Sequence, residues 1–567
     1  MFQEKRACIR LNGGSGDVFA FCGWRLRRKP ASPASIAPPA GTPARYPRKF
    51  DTVRLRIILR NIFSSWAGYL VTLLSGFFLA PFVVHRLGNT GYGVWTLVGS
   101  LTGYFGLLDL GLRQSVGRFV ARSVALNDHE DVNRTVSTAL TMLAGAGLLA
   151  LVATVAINLV FGNFKVGPQF EFAARTALLI AGLNISLTLP MSVFSAVLVS
   201  LERFDVMTGV TVVGAVIRVT LVVIFLKLGY GIVALALIML LSSTSESFTV
   251  AICAKLLYRP LKPNWHAVSL ARCKELFGFG IFRFIWIVAN QLIFYTDSVV
   301  IGIFLNAGAI TYYTIAGSLI NYGRNVVSLA ADTLYPAATR LDAKNDLAGL
   351  QALQVLGTKI SLLVGLPLCV GFIFLGRQFI TLWMGKGYAI SAVYLIVLTI
   401  PQFSSMSQYI SALILVGMAR HKMLAYVAMA EGLANLLLSI ALVRKVGLIG
   451  VAWGTVIPHA ISTAVIIPLY TLHTLKMSWS DYVAKAFVRP IICAIPIAGL
   501  CYVFSHLIES PTWIVFGAEV ITVCWIFGIT SYFICLTAEQ RAVVLNKLKM
   551  LIVSFRQVSV TPAGPPG

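Results

Sequence analysis

At 567 residues, 57% hydrophobic and 12% charged, with a mean hydropathy of +0.83, this chain has more apolar surface than a water-soluble fold of its length can bury. Lipid must solvate most of it. The formal charge of +25 first suggests a nucleic-acid binder, but the basic residues gather in loops between apolar runs, which argues against that class.

Residues 1–50 are rich in Pro, Ala and Arg (KPASPASIAPPAGTPARYPRK) and lack the apolar centre of a signal peptide, so residues 1–55 are expected to be a disordered cytoplasmic segment. GGSGD at Gly13 to Asp17 has no strand before it and no helix after it, and is not read as a phosphate loop. From Ile62 onward about fourteen apolar runs approach the length needed to cross the hydrocarbon core. They begin near Ile62, Gly91, Val136, Phe172, Val206, Gly231, Phe277, Ile310, Leu356, Ala389, Met423, Leu448, Phe487 and Trp513. Pro81, Pro190, Pro367, Pro401 and Pro458 predict tilts or kinks.

With the amino terminus inside, one side of the membrane receives Arg45, Arg48, Lys49, Arg54, Arg56 and Arg60, then Arg113, Arg118, Arg122 and Arg134. Lys255, Arg259, Lys262, Arg272, Lys274, Arg420, Lys422, Lys476, Lys485, Arg541, Lys547 and Lys549 fall there too. The other side holds little beyond Arg86, Lys165, Lys227, Lys386, Arg444 and Lys445. This is the positive-inside bias, and it predicts two cytoplasmic termini.

The runs form two copies. LGNTGYGVWTLVGSLTGY from Leu87 matches LNAGAITYYTIAGSLINY from Leu305, with Leu87/Leu305, Thr96/Thr314, Gly99/Gly317, Ser100/Ser318, Leu101/Leu319 and Tyr104/Tyr322 identical at an offset of 218 residues. The offset returns at Lys227/Lys445, Gly229/Gly447, Val233/Val451 and Ala234/Ala452. A register kept without slippage implies a duplicated six-helix unit, and two such bundles facing each other suit a transporter that rocks about a midplane cavity. The expected fold is an all-α polytopic membrane protein of two pseudo-symmetric six-helix bundles plus two further helices. Its boundaries are 56–258 for the first bundle, 259–276 for a cytoplasmic linker, 277–475 for the second bundle, 476–540 for the added helices and 541–567 for a cytoplasmic tail.

External loops are short and cytoplasmic loops modest, which leaves no room for an extramembrane active site, and no GxxxxGK[ST] motif occurs. The chain is therefore not read as an enzyme, and no cofactor is expected. The nine cysteines are scattered, mostly within spans (Cys253, Cys369, Cys493, Cys501, Cys524, Cys535), and read as small core residues with no metal spacing or disulfide frame. Asp128, His129, Glu130 and Asp131 could bind a metal, but a solvated helix turn fits them better.

Ionisable groups at membrane depth cost about 2.5–3.5 kcal/mol on insertion scales unless they find a partner or a wet cavity. Arg218 and Glu246 lie on adjacent spans at depths that allow pairing, as do Arg283 and Asp332. Glu431 and His459 match in depth and would make a proton site. Arg324 and Asp297 have no evident mate, so Arg324 is a candidate cation for an anionic substrate group. Asp109 and Arg113 end the second span near the cytoplasm, where interfacial snorkelling also explains Arg113. Tyr104, Tyr312, Tyr313, Tyr322, Trp95 and Trp286 offer rings for stacking on sugars, or for packing and interface anchoring. The substrate-binding candidates are thus Arg324, Arg283, Arg218, Arg113, Tyr104 and Tyr322; the ion-coupling candidates are Asp297, Glu431, His459 and Asp109.

LGNTGYGVW (87–95), LLDLGLRQSVGRFVA (107–121), LERF (201–204), TDSVVIGIFL (296–305) and YYTIAGSL (312–319) together make the chain resemble a polysaccharide or O-antigen flippase of the Wzx type. That family is a branch of the multidrug/oligosaccharidyl-lipid/polysaccharide exporter superfamily, and the resemblance covers Arg60 to about Ser480. It implies translocation of undecaprenyl-pyrophosphate-linked oligosaccharide across a bacterial inner membrane by alternating access, coupled to a proton or sodium gradient. Glycosyltransferases and a polysaccharide polymerase would be its partners. In lipid II flippase relatives, extra carboxy-terminal helices form a groove for the lipid tail, and basic residues occupy the first helix. This chain has no charge between Asn61 and Val84. A cation-coupled multidrug exporter and a non-transporting scaffold for glycosyltransferases are the alternatives.

Overall fold

The computed structural model describes residues 52–508, 512–535 and 541, so the expectations for residues 1–50 and for the tail beyond Arg541 lie outside the described residues. The chain divides into two compact units, Met1–Leu55 and Arg56–Gly567. The first half is built from α1 (Thr52–Gly103), α2 (Leu112–Ala125), α3 (His129–Leu159), α4 (Pro168–Ser200), α5 (Phe204–Lys227) and α6 (Ile232–Leu257). The second half starts with α7 (Leu270–Phe304), α8 (Ala307–Asp332), α9 (Tyr335–Ala343), α10 (Leu347–Phe374) and α11 (Gly376–Met384). A broken span follows as α12 (Ser391–Thr399), α13 (Gln402–Ser407) and α14 (Tyr409–Gly417). The remainder is α15 (His421–Val446), α16 (Leu448–Ile461), α17 (Ile467–Leu475), α18 (Trp479–Ala486), α19 (Val488–Leu507) and α20 (Trp513–Ile534). No strand occurs among the described residues.

The chain is thus an all-α polytopic membrane protein, with 10 helical runs among the described residues long and apolar enough to cross a membrane, or up to 11. The expected count of fourteen is not reached by length and composition alone, for definite reasons. The first two expected spans form one continuous run, with only Gly88 (φ 72°) breaking α1 between them. The seventh bends by 41° between Ile293 and Tyr295. The tenth is divided at Pro401 and Gln408, and the eighth, α8, is not among the runs that are apolar enough.

The duplication is visible in the backbone. Left-handed φ values, which most side chains resist, occur at Asn127 and Asn345, Gly167 and Gly385, and Gly229 and Gly447, each pair 218 residues apart in sequence. Asp128 and Asp346 follow the two asparagines and cap α3 and α10, accepting from Asp131 N at 2.9 Å and Gly349 N at 2.8 Å. The register is not perfect, contrary to expectation. The α4–α5 turn has its left-handed residue at Glu202 and the α14–α15 turn at Ala419, one residue short of the offset. The offset is restored at Gly229 and Gly447, so the second copy is one residue shorter between Gly385 and Ala419 and one longer between Ala419 and Gly447.

The segment joining the halves is strapped along α3. Asn133 Nδ2 donates to Pro260 O (3.0 Å), and the amides of Lys262, Asn264 and Ser269 donate to Asn133 Oδ1 (2.8 Å), Ser137 Oγ (2.9 Å) and Thr138 Oγ1 (3.2 Å). Leu276 of α7 then enters the core of the first half with Leu112, Val116 and Val136.

At the end of the bundle where α1 kinks, here called the distal end, the two halves grip each other. Lys165 N donates to Gly302 O (2.9 Å), Ala307 N to Lys165 O (3.3 Å) and Lys165 Nζ to Phe304 O (2.9 Å). Thr311 Oγ1 donates to Asn89 O at 2.6 Å. The two halves pass close at Gly93, where an added Cβ would lie 1.7 Å from Ala307 O. Across the molecule, Pro81 lacks the N–H that would occupy the carbonyl of Phe77 in an unbroken helix. Trp383 Nε1, from the other half, donates to that carbonyl at 3.0 Å, and its ring stacks on Phe77 with centroids 5.0 Å apart. Trp383→Phe keeps the stacking and removes the donor. It should weaken the distal seal by about 1–3 kcal/mol, read as greater reactivity of a cysteine placed at Thr90 toward an impermeant maleimide.

Candidate functional site

The α15–α16 hairpin turns at Gly447, so residues on its facing sides meet in an antiparallel ladder with one rung per helical turn, about 5.4 Å apart. Ser439 and Val451 form the first rung, with Ser439 Oγ donating to Val451 O at 3.5 Å. Asn435 and Thr455 stand at the second, and Glu431 and His459 at the third, where Nδ1 lies 2.7 Å from Glu431 Oε1. Asn435 is 1% and Ser439 0% exposed. Buried polar rungs of this kind are costly unless satisfied.

Asp297 of α7 joins the ladder at its second rung. It is 6% exposed, and its Oδ2 accepts from Tyr313 Oη (2.5 Å) and Thr455 Oγ1 (2.8 Å). Its Oδ1 is buried without a hydrogen-bond partner. From Thr455 the hydrogen bonds run on along the ladder, Thr455 Oγ1 to Val451 O (3.2 Å) and Ser439 Oγ to Val451 O and to Asn435 Oδ1 (3.0 Å), so oxygen atoms line the first two rungs. Among the described residues no group of three or more His, Cys, Asp or Glu forms a transition-metal site. Asp297 therefore does have mates, and sequence reasoning missed them because Tyr313 and Thr455 come from two other helices. The period of four linking Val451, Thr455 and His459 was the available signal.

The third rung is shaped by Pro458 and by a π-helical turn at Ser462–Ile466, which breaks the regular ladder of α16 and turns successive side chains to one side. Ser462 donates to Glu431 Oε2, and Thr463 Oγ1 bonds His459 O (2.6 Å) and Ser404 Oγ (2.9 Å). His459 Nε2 is buried without a hydrogen-bond partner. The charge of Arg324, on α8, acts on Glu431, so Arg324 is not without a partner as expected.

Of the other expected residues, Tyr104 stands beside this site and the rest lie elsewhere. Tyr104 Oη is 2.8 Å from Thr296 Oγ1, one residue from Asp297, and its ring is 6.0 Å from that of Tyr295. Tyr322 lies 6.1 Å from Phe77, beside the distal tryptophan contact. Arg113 is exposed on α2, and Asp109 lies in a 3₁₀ turn after α1 with a buried Oδ1. The side chain of Arg283 falls outside the described residues; Asp332 is exposed. Arg218 pairs with Glu246 and donates to Ser242 Oγ (3.2 Å) between α5 and α6. Glu246→Gln should destabilise the protein by about 3–5 kcal/mol, and Arg218→Met with Glu246→Leu should restore most of that, measured by thermal unfolding in detergent.

The acidic turn after α2 is structural. Asp128 caps α3, Asp131 pairs with Arg272, and His129 Nδ1 lies 2.5 Å from Tyr258 Oη. Burial and the Asp128 carboxylate push the Tyr258 phenol above its usual 10. Seven cysteines, Cys253, Cys273, Cys369, Cys493, Cys501, Cys524 and Cys535, are free thiols.

The chain is 22% identical to the uncharacterized membrane protein EpsK of Bacillus subtilis, over 86% of this chain and 97% of that one. It is 21% identical to a Shigella flexneri protein provisionally named an O-antigen transporter, over 70% and 93%. Among solved structures it overlays the lipid II flippase MurJ in an inward closed conformation with a TM-score of 0.64 at 16% identity, covering 84% of this chain and 98% of that chain. It overlays an inward-facing multidrug resistance MATE family transporter of the MOP superfamily with a TM-score of 0.63 at 16% identity, covering 74% and 98%. These likenesses establish a shared fold. Residues 58–342 match the family described as polysaccharide biosynthesis protein, and the chain belongs to that family.

Proposed function

We propose that this protein is a flippase that moves undecaprenyl-pyrophosphate-linked oligosaccharide across the bacterial inner membrane for O-antigen, exopolysaccharide or capsule assembly. The observation that carries the reading is the distal seal between two halves whose backbone turns repeat at one offset. Such a seal is the closed end of an alternating-access cycle: it must part for release to the far leaflet and re-form for loading. In this reading the distal end is external, both termini are cytoplasmic, and the halves follow the boundaries 56–258 and 277–475. Arg324, Tyr104 and Tyr322 meet the substrate's pyrophosphate and sugars, with Arg283 and Arg113 near the cytoplasmic entrance. Arg218 belongs instead with Glu246. Proton or sodium binding at Asp297 or at the Glu431–His459 pair couples the gradient to the motion, and Asp109 stands at the cytoplasmic end of that path. Glycosyltransferases and a polymerase supply and consume the glycan; no nucleic acid is involved.

The reading is supported by the family, the relatives' names and the fold. A drug exporter of the same superfamily remains the alternative. Vesicles containing the pure protein and a fluorescent lipid-linked oligosaccharide decide between them: an imposed ion gradient should drive the label across. Arg324→Ala should lower that rate at least tenfold with insertion unchanged. Drug efflux without lipid-linked sugar movement would reject the proposal.

A further inference from the structure

A basic notch lies at the base of the two added helices. α10 and α19 run parallel: their far ends are tied by Gln378 Nε2, which donates to Phe504 O (3.3 Å) and Ile508 O (2.7 Å). Between the ends, Leu362, Leu366 and Val370 share one core with Cys493, Ile497 and Cys501, two rows of period four. One turn further toward the near end, the rows bring Lys359 of α10 level with Arg489 of α19, and each cation feels the other's charge. Cys535, ending α20, marks the same level, its Sγ 3.5 Å from Cys493 Sγ.

No carboxylate among the described residues answers either cation. Among the described residues Lys359 and Arg489 have no hydrogen bond or ion pair, while other basic residues, such as Arg134, Arg175 and Arg203, do. Two like charges held together at a membrane boundary repel, and an anion between them reverses the sign of that energy. The surroundings are interfacial. α18 buries Tyr482 and Ala486 while exposing Asp481 and Lys485, the pattern of a helix lying along the bilayer surface. Beside Arg489, the apolar side chains of Val488, Ile491 and Ile492 are exposed where acyl chains would run.

We propose that Lys359 and Arg489 form a binding site for the phosphate headgroup of an anionic phospholipid of that leaflet. Basic pockets between helix ends suit such headgroups. The site is separate from the α15–α16 ladder, and its existence does not depend on what is transported.

The test uses the full-length protein in dodecyl maltoside, with thermal unfolding followed as dioleoyl phosphatidylglycerol or dioleoyl phosphatidylcholine is added. Phosphatidylglycerol should raise the midpoint by several degrees and phosphatidylcholine should not. The double variant Lys359→Gln, Arg489→Gln should lose most of that rise and, relieved of repulsion, unfold no lower than the parent in lipid-free detergent. Lys359→Arg should keep the full rise. The proposal is overturned if the double variant keeps the rise, if phosphatidylcholine matches it, or if inorganic phosphate alone reproduces it.

Discussion

Gly93→Ala should abolish transport while leaving the protein inserted and helical. The added Cβ would lie 1.7 Å from Ala307 O and 2.6 Å from Ala307 C, backbone atoms that cannot move aside as a side chain can. The clash exists only when the two halves meet at the distal end. Overpacking typically costs about 1–3 kcal/mol, enough to shift the balance between sealed and parted states by roughly ten- to a hundred-fold. The variant should therefore rest with its distal side open. A cysteine at Thr90 would label with impermeant maleimide in intact cells, and surface polysaccharide would be missing. Gly99→Ala is the control, since a Cβ there meets nothing within 4 Å. Normal polysaccharide from Gly93→Ala would mean that the seal does not take part in the cycle.

Asp297→Asn should uncouple the protein from its gradient. The change is nearly isosteric and leaves Tyr313 and Thr455 with an acceptor, but it removes the one formal charge from the oxygen cluster of the second rung. Because a buried carboxylate is costly without a bound cation or proton, the variant should be as stable as the parent or more so, while gradient-driven flipping in vesicles falls to background. Thr455→Val, which keeps the charge and removes one oxygen, should raise the half-saturating ion concentration by about tenfold, the loss of one interaction worth about 1.4 kcal/mol. Unchanged ion dependence in both variants would move the coupling site to Glu431 and His459.

Much of this architecture could be read from the chain. The apolar runs marked the helices, and the pairs at Thr96/Thr314 and Gly229/Gly447 marked the duplication before the matching left-handed turns were seen. Glu431 with His459, and Arg218 with Glu246, were legible because each pair lies on sequential helices whose depths can be counted from a shared turn. Partners contributed by distant helices were not legible. Asp297 is held from α8 and α16, and Arg324 acts on a carboxylate of α15, relations set by how the helices pack and not by spacing along one of them. The bond from Trp383 to Phe77 O was hidden for another reason. Pro81 announces a vacant carbonyl, but nothing local says which side chain will fill it.

Rings continue outward from that contact: Phe379 lies 5.8 Å from Trp383, and both Phe516 (5.6 Å) and Trp513 (6.2 Å) of α20 lie against Phe379. α20 is thereby keyed to α1 through successive aromatic side chains. Rotation of one lobe must drag this train along or shear it, so a chain cut short after Ala486 would swing more freely and leak. An added pair tied in this way should damp any such rotation.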